Sequence, residues 1–158
     1  MRTTYRALTL LLVAFAAVQV AALAWFMGGA ITWTDGGGTL TRDLMWGDAV
    51  PFIEVHGLDI AWFVGSVMVP CAALATVVVA LAWRNELAIL ASLAILGLAF
   101  AEAFVLRGVV TGLAAPALQG AAVVAIAALA AVAPKGAAWA TRNRDKVRAV
   151  YAHTPLAA

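Results

Sequence analysis

Apolar residues run almost unbroken through four stretches of the chain, and the polar positions between them are few enough to mark boundaries. The first run covers about residues 7–30, which meets the roughly 20 residues a helix needs to cross a hydrocarbon core about 30 Å thick. Further runs cover about 56–83, 87–107 and 115–133. The pattern predicts an all-α fold, a four-helix transmembrane bundle over residues 1–134, followed by a basic tail over 135–158. Arg2 and Arg6 before the first run, and Gly28, Gly29 and Ala30 at its end, also fit a signal peptide with a small-residue cleavage site. A signal core is shorter, typically about 7–15 residues, so the pattern favours a retained span.

The polar breaks carry their own expectations. The stretch at about 31–55 is the one substantial hydrophilic segment before the tail, with a flexible turn at Asp35, Gly36, Gly37 and Gly38. Asp48 is placed to cap a helix that starts at Ala49, tolerates Pro51 in its first turn and continues through Glu54, His56 and Asp59 to Trp83. At 1.5 Å per residue such a helix is about 50 Å long, so its first two turns should project into the interface or bend at Gly57. Pro70 lacks an N–H and crowds the carbonyl of Ser66, which predicts a kink. Arg84, Asn85 and Glu86 form a tight turn, and Arg107, Gly108, Gly112 and Pro116 a short link. In the fourth span Ala121/Ala125 and Ala127/Ala131 recur at four-residue spacing, the kind of small surface that lets helices approach closely.

Composition then decides the solvent. Hydrophobic residues make up 65% of the chain and charged residues 11%, so lipid, not water, surrounds most of it. The net charge of +2 matters less than its placement: Lys135, Arg142, Arg144, Lys146 and Arg148 supply half of the 10 basic residues. With Arg2, Arg6 and Arg84 they put both termini on the cytoplasmic side of the cell membrane, while the acidic loop faces outward. Trp25, Trp33, Trp46, Phe52 and Trp62 are then expected in an outer aromatic belt, and Tyr5, Trp83, Trp139 and Tyr151 in an inner one. The five tail cations read first as a solvated topology signal, with a segment lying on the anionic membrane surface as the alternative. Cys71 is the only cysteine, which excludes an internal disulfide and a CxxC motif, and with Met68 it reads as a packing residue.

An ionisable group at the bilayer centre costs about 2.5–3.5 kcal/mol on insertion scales, so the few polar positions within the spans are the candidate site. Glu102 lies in the outer half of the third span, His56 and Asp59 at a matching level on the second helix, Gln119 at the outer end of the fourth, and Arg107 at the end of the third. Gln19 lies nearer mid-membrane on the first. His56 is the natural ligand or proton carrier, with Asp59 or Glu54 holding its other ring nitrogen, and Glu102 can take a proton or pair with Arg107. Interfacial hydration of His56 and Asp59, and an interhelical hydrogen bond at Glu102, are the plain structural alternatives.

The order of features, Gln19 and a Gly pair, a loop, His56-Gly57, then Phe104-Val105-Leu106-Arg107-Gly108 and Leu118-Gln119-Gly120, resembles small actinobacterial four-helix membrane proteins of unknown function. Their pattern is similar to one four-helix half of haem A synthase. That resemblance implies a His near the outer end of the second helix and another in the fourth, facing each other. His56 matches the first, whereas Gln119 stands where the second would be, and His153 follows the basic tail at the opposite side. A five-coordinate haem with His56 as its metal ligand, a haem shared between protomers, or a quinone pocket stay open.

The leading expectation is a non-catalytic accessory or scaffold subunit in the lipid bilayer, packed against another membrane protein or a second copy, with no cofactor and no nucleic acid. The alternative is a redox-linked module holding haem or quinone near His56, Asp59 and Glu102. A proton-conducting role ranks third. No nucleophile with a base, phosphate loop or dinucleotide fingerprint is present, so catalysis has no support in the sequence.

Overall fold

A computed structural model of the chain describes residues 1–41, 50–106 and 114–152. Among these every regular element is helical, and four helices are long and apolar enough to cross a membrane. The first, α1, spans Arg2–Asp35. The second, α2, covers Ile53–Trp83. It opens as a 3₁₀ turn at Ile53–Val55, becomes α-helical over His56–Phe63, passes through a π-helical turn at Val64–Met68 and resumes over Val69–Trp83. The third, α3, spans Glu86–Phe100 and ends in another π-helical turn, Ala101–Leu106. The fourth, α4, spans Ala114–Ala152.

Helix α1 outlasts its apolar run because Thr32 and Thr34 turn their hydroxyls back to the carbonyls of Gly28 and Ala30, both at 3.0 Å, and so satisfy themselves within the helix. It ends at the predicted glycine turn, where Gly37 takes φ +87°, a conformation that suits a residue without Cβ. Helix α2 starts at Ile53, four residues later than expected, after an extended Phe52 and with no side-chain cap. Asp48, the expected cap, lies outside the described residues.

Gly57 is the second residue of the α-helical stretch His56–Phe63. It lets α2 close on α1, since a Cβ there would lie 2.5 Å from the carbonyl oxygen of Ala22. The disturbance set by Pro70 is taken up ahead of it: the N–H of Val69 reaches back five residues to Val64, widening the turn where proline cannot donate. The turn from α2 to α3 is as short as predicted. Arg84 takes the left-handed conformation at φ 54° and Asn85 caps α3, accepting from the Ala88 N–H at 3.0 Å.

Helix α1 packs on α2 and α4, and α3 packs on the same two, so α1 and α3 face each other across the bundle axis. Buried positions repeat at alternating steps of three and four. They are Tyr5, Thr9, Leu12, Ala16, Gln19, Leu23, Phe26 and Ala30 on α1, and Ala88, Ser92, Ile95, Ala99 and Glu102 on α3. On α2 they are Val69, Ala73, Thr76 and Ala80, and on α4 Val123, Ile126, Ala130, Ala133 and Ala137. This is the heptad seam of a helical bundle, built here from small, aliphatic and polar side chains. It revises the expected seam of α4: Ala121 and Ala131 are exposed, and Ala125 and Ala127 are only half-buried. Helix α4 also continues through Pro134, so the fourth span and the start of the basic tail form one helix.

The end that carries both helix α1's start and the α2–α3 turn is called the terminal end, and the other the loop end. Tyr5 is buried at the terminal end instead of facing lipid. Its hydroxyl lies 3.3 Å from the Ala88 carbonyl and 3.2 Å from the Ser92 hydroxyl, and its ring is 5.6 Å from that of Trp83. Trp139 is exposed there, and Trp25 and Trp62 are exposed nearer the loop end. Trp33 lies 5.9 Å from Phe52. Trp46 and the side chain of Tyr151 lie outside the described residues.

Candidate functional site

Two polar side chains meet at the bundle axis. Gln19, at a seam position of α1, donates from Nε2 to Oε1 of Glu102 at 2.9 Å, and both residues are at most 1% exposed. The bond crosses the α1/α3 diagonal. Tyr5 and Ala88 are joined across the same diagonal, and both pairs are 83 residues apart in sequence, so α1 and α3 run parallel and in step between them.

Apolar layers bracket the pair. Leu12, Ile95 and Ile126 lie toward the terminal end, and Ala22, Leu23 and Ala61 toward the loop end. Glu102 itself belongs to the π-helical turn of α3, and this turn packs against the π-helical turn of α2, which in turn touches α1. Two widened turns therefore face each other beside the one carboxyl group that is fully buried among the described residues. Such turns recur at functional sites because they re-aim a side chain without ending the helix.

The amide oxygen of Gln19 is buried and has no hydrogen-bond partner among the described residues. A carbonyl oxygen in that position gains only from a donor. The pair can therefore accommodate one further donor, such as the hydroxyl of a small polar ligand.

His56 and Asp59 form a second pair with a different character. His56 Nδ1 and Asp59 Oδ2 are 3.4 Å apart, three residues along α2, and the two side chains are 51% and 68% exposed. Nδ1 is the nitrogen held, which leaves Nε2 directed to the surroundings. Glu54 does not hold the imidazole; it lies against Gly29, where any Cβ would collide with it.

The sequence placed His56, Asp59 and Glu102 at one level, and the structure joins the first two at the surface while Glu102 turns inward to Gln19. Arg107 lies outside the described residues, as does the side chain of Gln119. Met68 and Cys71 face outward from α2 and do not contribute to the core. Among the described residues no group of three or more His, Cys, Asp or Glu side chains gathers where one metal ion could be held. Of the basic tail, Lys135 and Arg142 are exposed on α4, and the side chains of Arg144, Lys146 and Arg148 are not described.

Sequence reasoning noted Gln19 but gave it no partner. The signal was available in the equal spacing of small and polar residues: Thr9, Ala16 and Gln19 on α1 match Ser92, Ala99 and Glu102 on α3, position for position at an offset of 83. Comparisons with family models, with curated proteins and with solved structures return no match, so the site is read from its own geometry.

Proposed function

We propose that this protein of the cell membrane, with both termini cytoplasmic, is a non-catalytic accessory subunit that packs against other membrane proteins or a second copy of itself. The observation that carries this reading is the inward commitment of its polar side chains. Gln19 with Glu102, Tyr5 with Ser92, and Asn85 with Thr141 all join one helix to another inside the bundle. Thr76 and Ser92 return their hydroxyls to carbonyls one turn back. Interhelical hydrogen bonds of this kind hold helices where lipid supplies no hydrophobic drive between them. The outward faces, by contrast, carry Leu74, Val78, Leu90 and Val124, suited to lipid or to apolar helices of a partner. The orientation is supported by charge: Arg2, Arg6, Arg84, Lys135 and Arg142 gather at the terminal end, and Asp35, Glu54 and Asp59 at the loop end.

Photo-crosslinking side chains placed at Leu74, Leu90 and Val124, one on each of three outward faces, test the reading in native membranes. A discrete adduct from one face, lost on dilution into excess lipid, is the expected result. Uniform labelling of lipid from all three faces, with single-chain particles after extraction, would remove the subunit reading.

A second reading has its own observation. An exposed imidazole whose Nδ1 faces a carboxylate presents Nε2 as an oriented ligand. A haem, if bound there, would be held by His56, with Asp59 setting the imidazole, and would supply one-electron chemistry. Oxidised and dithionite-reduced spectra of haem-supplemented protein, beside His56→Ala, decide it. A Soret band that shifts on reduction and vanishes in the variant supports haem, and a featureless spectrum removes it.

A further inference from the structure

At the terminal end, α1 and α4 leave a pocket of about 380 Å³ between them. Arg2 and Arg6 from the first turns of α1 and Lys135 and Arg142 from the lower part of α4 line it, around Tyr5 and Trp83. These cations come from opposite ends of the chain and are gathered by the fold, not by sequence. Among the described residues no carboxylate lines the pocket, and none of the four cations makes an ion pair. Like charges collected around one space, without an internal counter-charge, are stabilised by an anion that enters it.

The surroundings identify the anion's class. On α1, Arg6 is followed one turn deeper by exposed Leu10, and on α4, Lys135 is followed one turn deeper by exposed Val132. Each basic residue thus sits above an apolar one at helical spacing, which matches an amphiphile with its phosphate at the membrane edge and its chains alongside the helices. Half-buried Trp83, whose ring packs on that of the buried Tyr5 at 5.6 Å between centroids, gives the pocket an aromatic side of the kind found at headgroup level. We infer that this pocket binds the phosphate headgroup of an anionic phospholipid, whose acyl chains lie along Leu10 and Val132. The inference needs only the membrane-spanning fold and stands whether or not the chain is an accessory subunit.

Native mass spectrometry of the full chain, released from nanodiscs of phosphatidylcholine containing a minor share of phosphatidylglycerol, provides the test. The wild-type chain should retain phosphatidylglycerol in preference to phosphatidylcholine. Arg6→Gln/Lys135→Gln should reduce that preference about thirtyfold and Arg6→Gln about fivefold, the factors set by the contribution of each basic residue near an anionic headgroup. Arg84→Gln removes a cation from the same end but not from the pocket, and should leave the preference unchanged. Circular dichroism of each variant confirms that the helices persist. Equal retention of both lipids by the wild type, or an equal loss in Arg84→Gln and Arg6→Gln, would overturn the inference. Displacement of the lipid by millimolar inorganic phosphate would assign the pocket to free phosphate and overturn the lipid assignment.

Discussion

Gln19–Glu102 and His56–Asp59 are both short polar pairs in a chain with few polar residues, yet they do opposite things to the fold. The first joins two helices across the bundle axis at 2.9 Å and is closed to the surroundings. The second joins two turns of one helix at 3.4 Å and is open to them. A buried polar contact is costly to break because the abandoned partner cannot turn to water, whereas an exposed ion pair exchanges its partner for solvent almost freely. The difference between the pairs is therefore in what their loss leaves behind, and substitutions can measure it.

The largest effect is expected at the axis. Glu102→Ala removes the partner of the Gln19 amide and opens a void between two apolar layers, and should destabilise the bundle by about 3 kcal/mol. Glu102→Gln keeps both volume and hydrogen bonding, and should cost under about 1 kcal/mol. Unfolding in mixed micelles, followed by helix content, gives both values. Equal losses would mean that the carboxyl itself, not its bond to Gln19, is what the bundle needs.

Gly57 tests the packing beside the exposed pair without touching its charges. A Cβ at this position would sit 2.5 Å from the backbone oxygen of Ala22, which cannot rotate away, so Gly57→Ala should cost about 2 kcal/mol in the same assay. Gly97→Ala is the matched control, since a Cβ there would meet nothing within 4 Å, and a helix interior favours alanine. If both glycines tolerate alanine equally, α1 and α2 are not in close contact at Gly57.

At the terminal end Asn85 combines the two characters, one face capping α3 and the other reaching α4. Its amide nitrogen donates to the Ala137 carbonyl and the Thr141 hydroxyl, each at 3.2 Å, while its oxygen accepts from Ala88. Asn85→Ala should cost about 1.5 kcal/mol and Asn85→Asp less, because the acid retains the cap and loses only the donors. Hydrogen exchange at the Ala88 amide separates the cap from the reach to α4.

The four spans, the glycine turn after Asp35 and the Arg84-Asn85 turn were legible because length and polarity along the chain fix them. Which face of each span looks inward was not. In water the inward face is the apolar one, but in lipid Leu10 and Leu12 are equally at home, and only Leu12 is buried. The interior is marked instead by small and polar residues at steps of three and four, a weaker pattern that α4 hides under alanine on every side. The candidate site suffered from the same gap. Depth along the chain placed His56 and Glu102 together, but rotation about each helix axis decides whether a side chain meets the bundle or its surroundings. Sequence spacing alone makes a seam of the exposed Ala121 and Ala131 for that reason, and a belt residue of the buried Tyr5.

The smallest effect is expected at the exposed pair, and it is the sharpest check on the comparison. His56 and Asp59 are more than half exposed, and the bond between them closes no gap between helices. His56→Ala and Asp59→Asn should each change stability by less than about 0.5 kcal/mol, and the double substitution should add nothing beyond their sum. A coupling above about 1 kcal/mol would mean that the imidazole is held by the bundle as firmly as Gln19 is. The variants keep their value when stability does not move. With the fold unchanged, any loss of a bound chromophore in His56→Ala can be assigned to the imidazole alone. A change in its midpoint potential in Asp59→Asn would then report the carboxylate's hold on Nδ1, because that substitution replaces the carboxylate beside the ring by a neutral amide of nearly the same size.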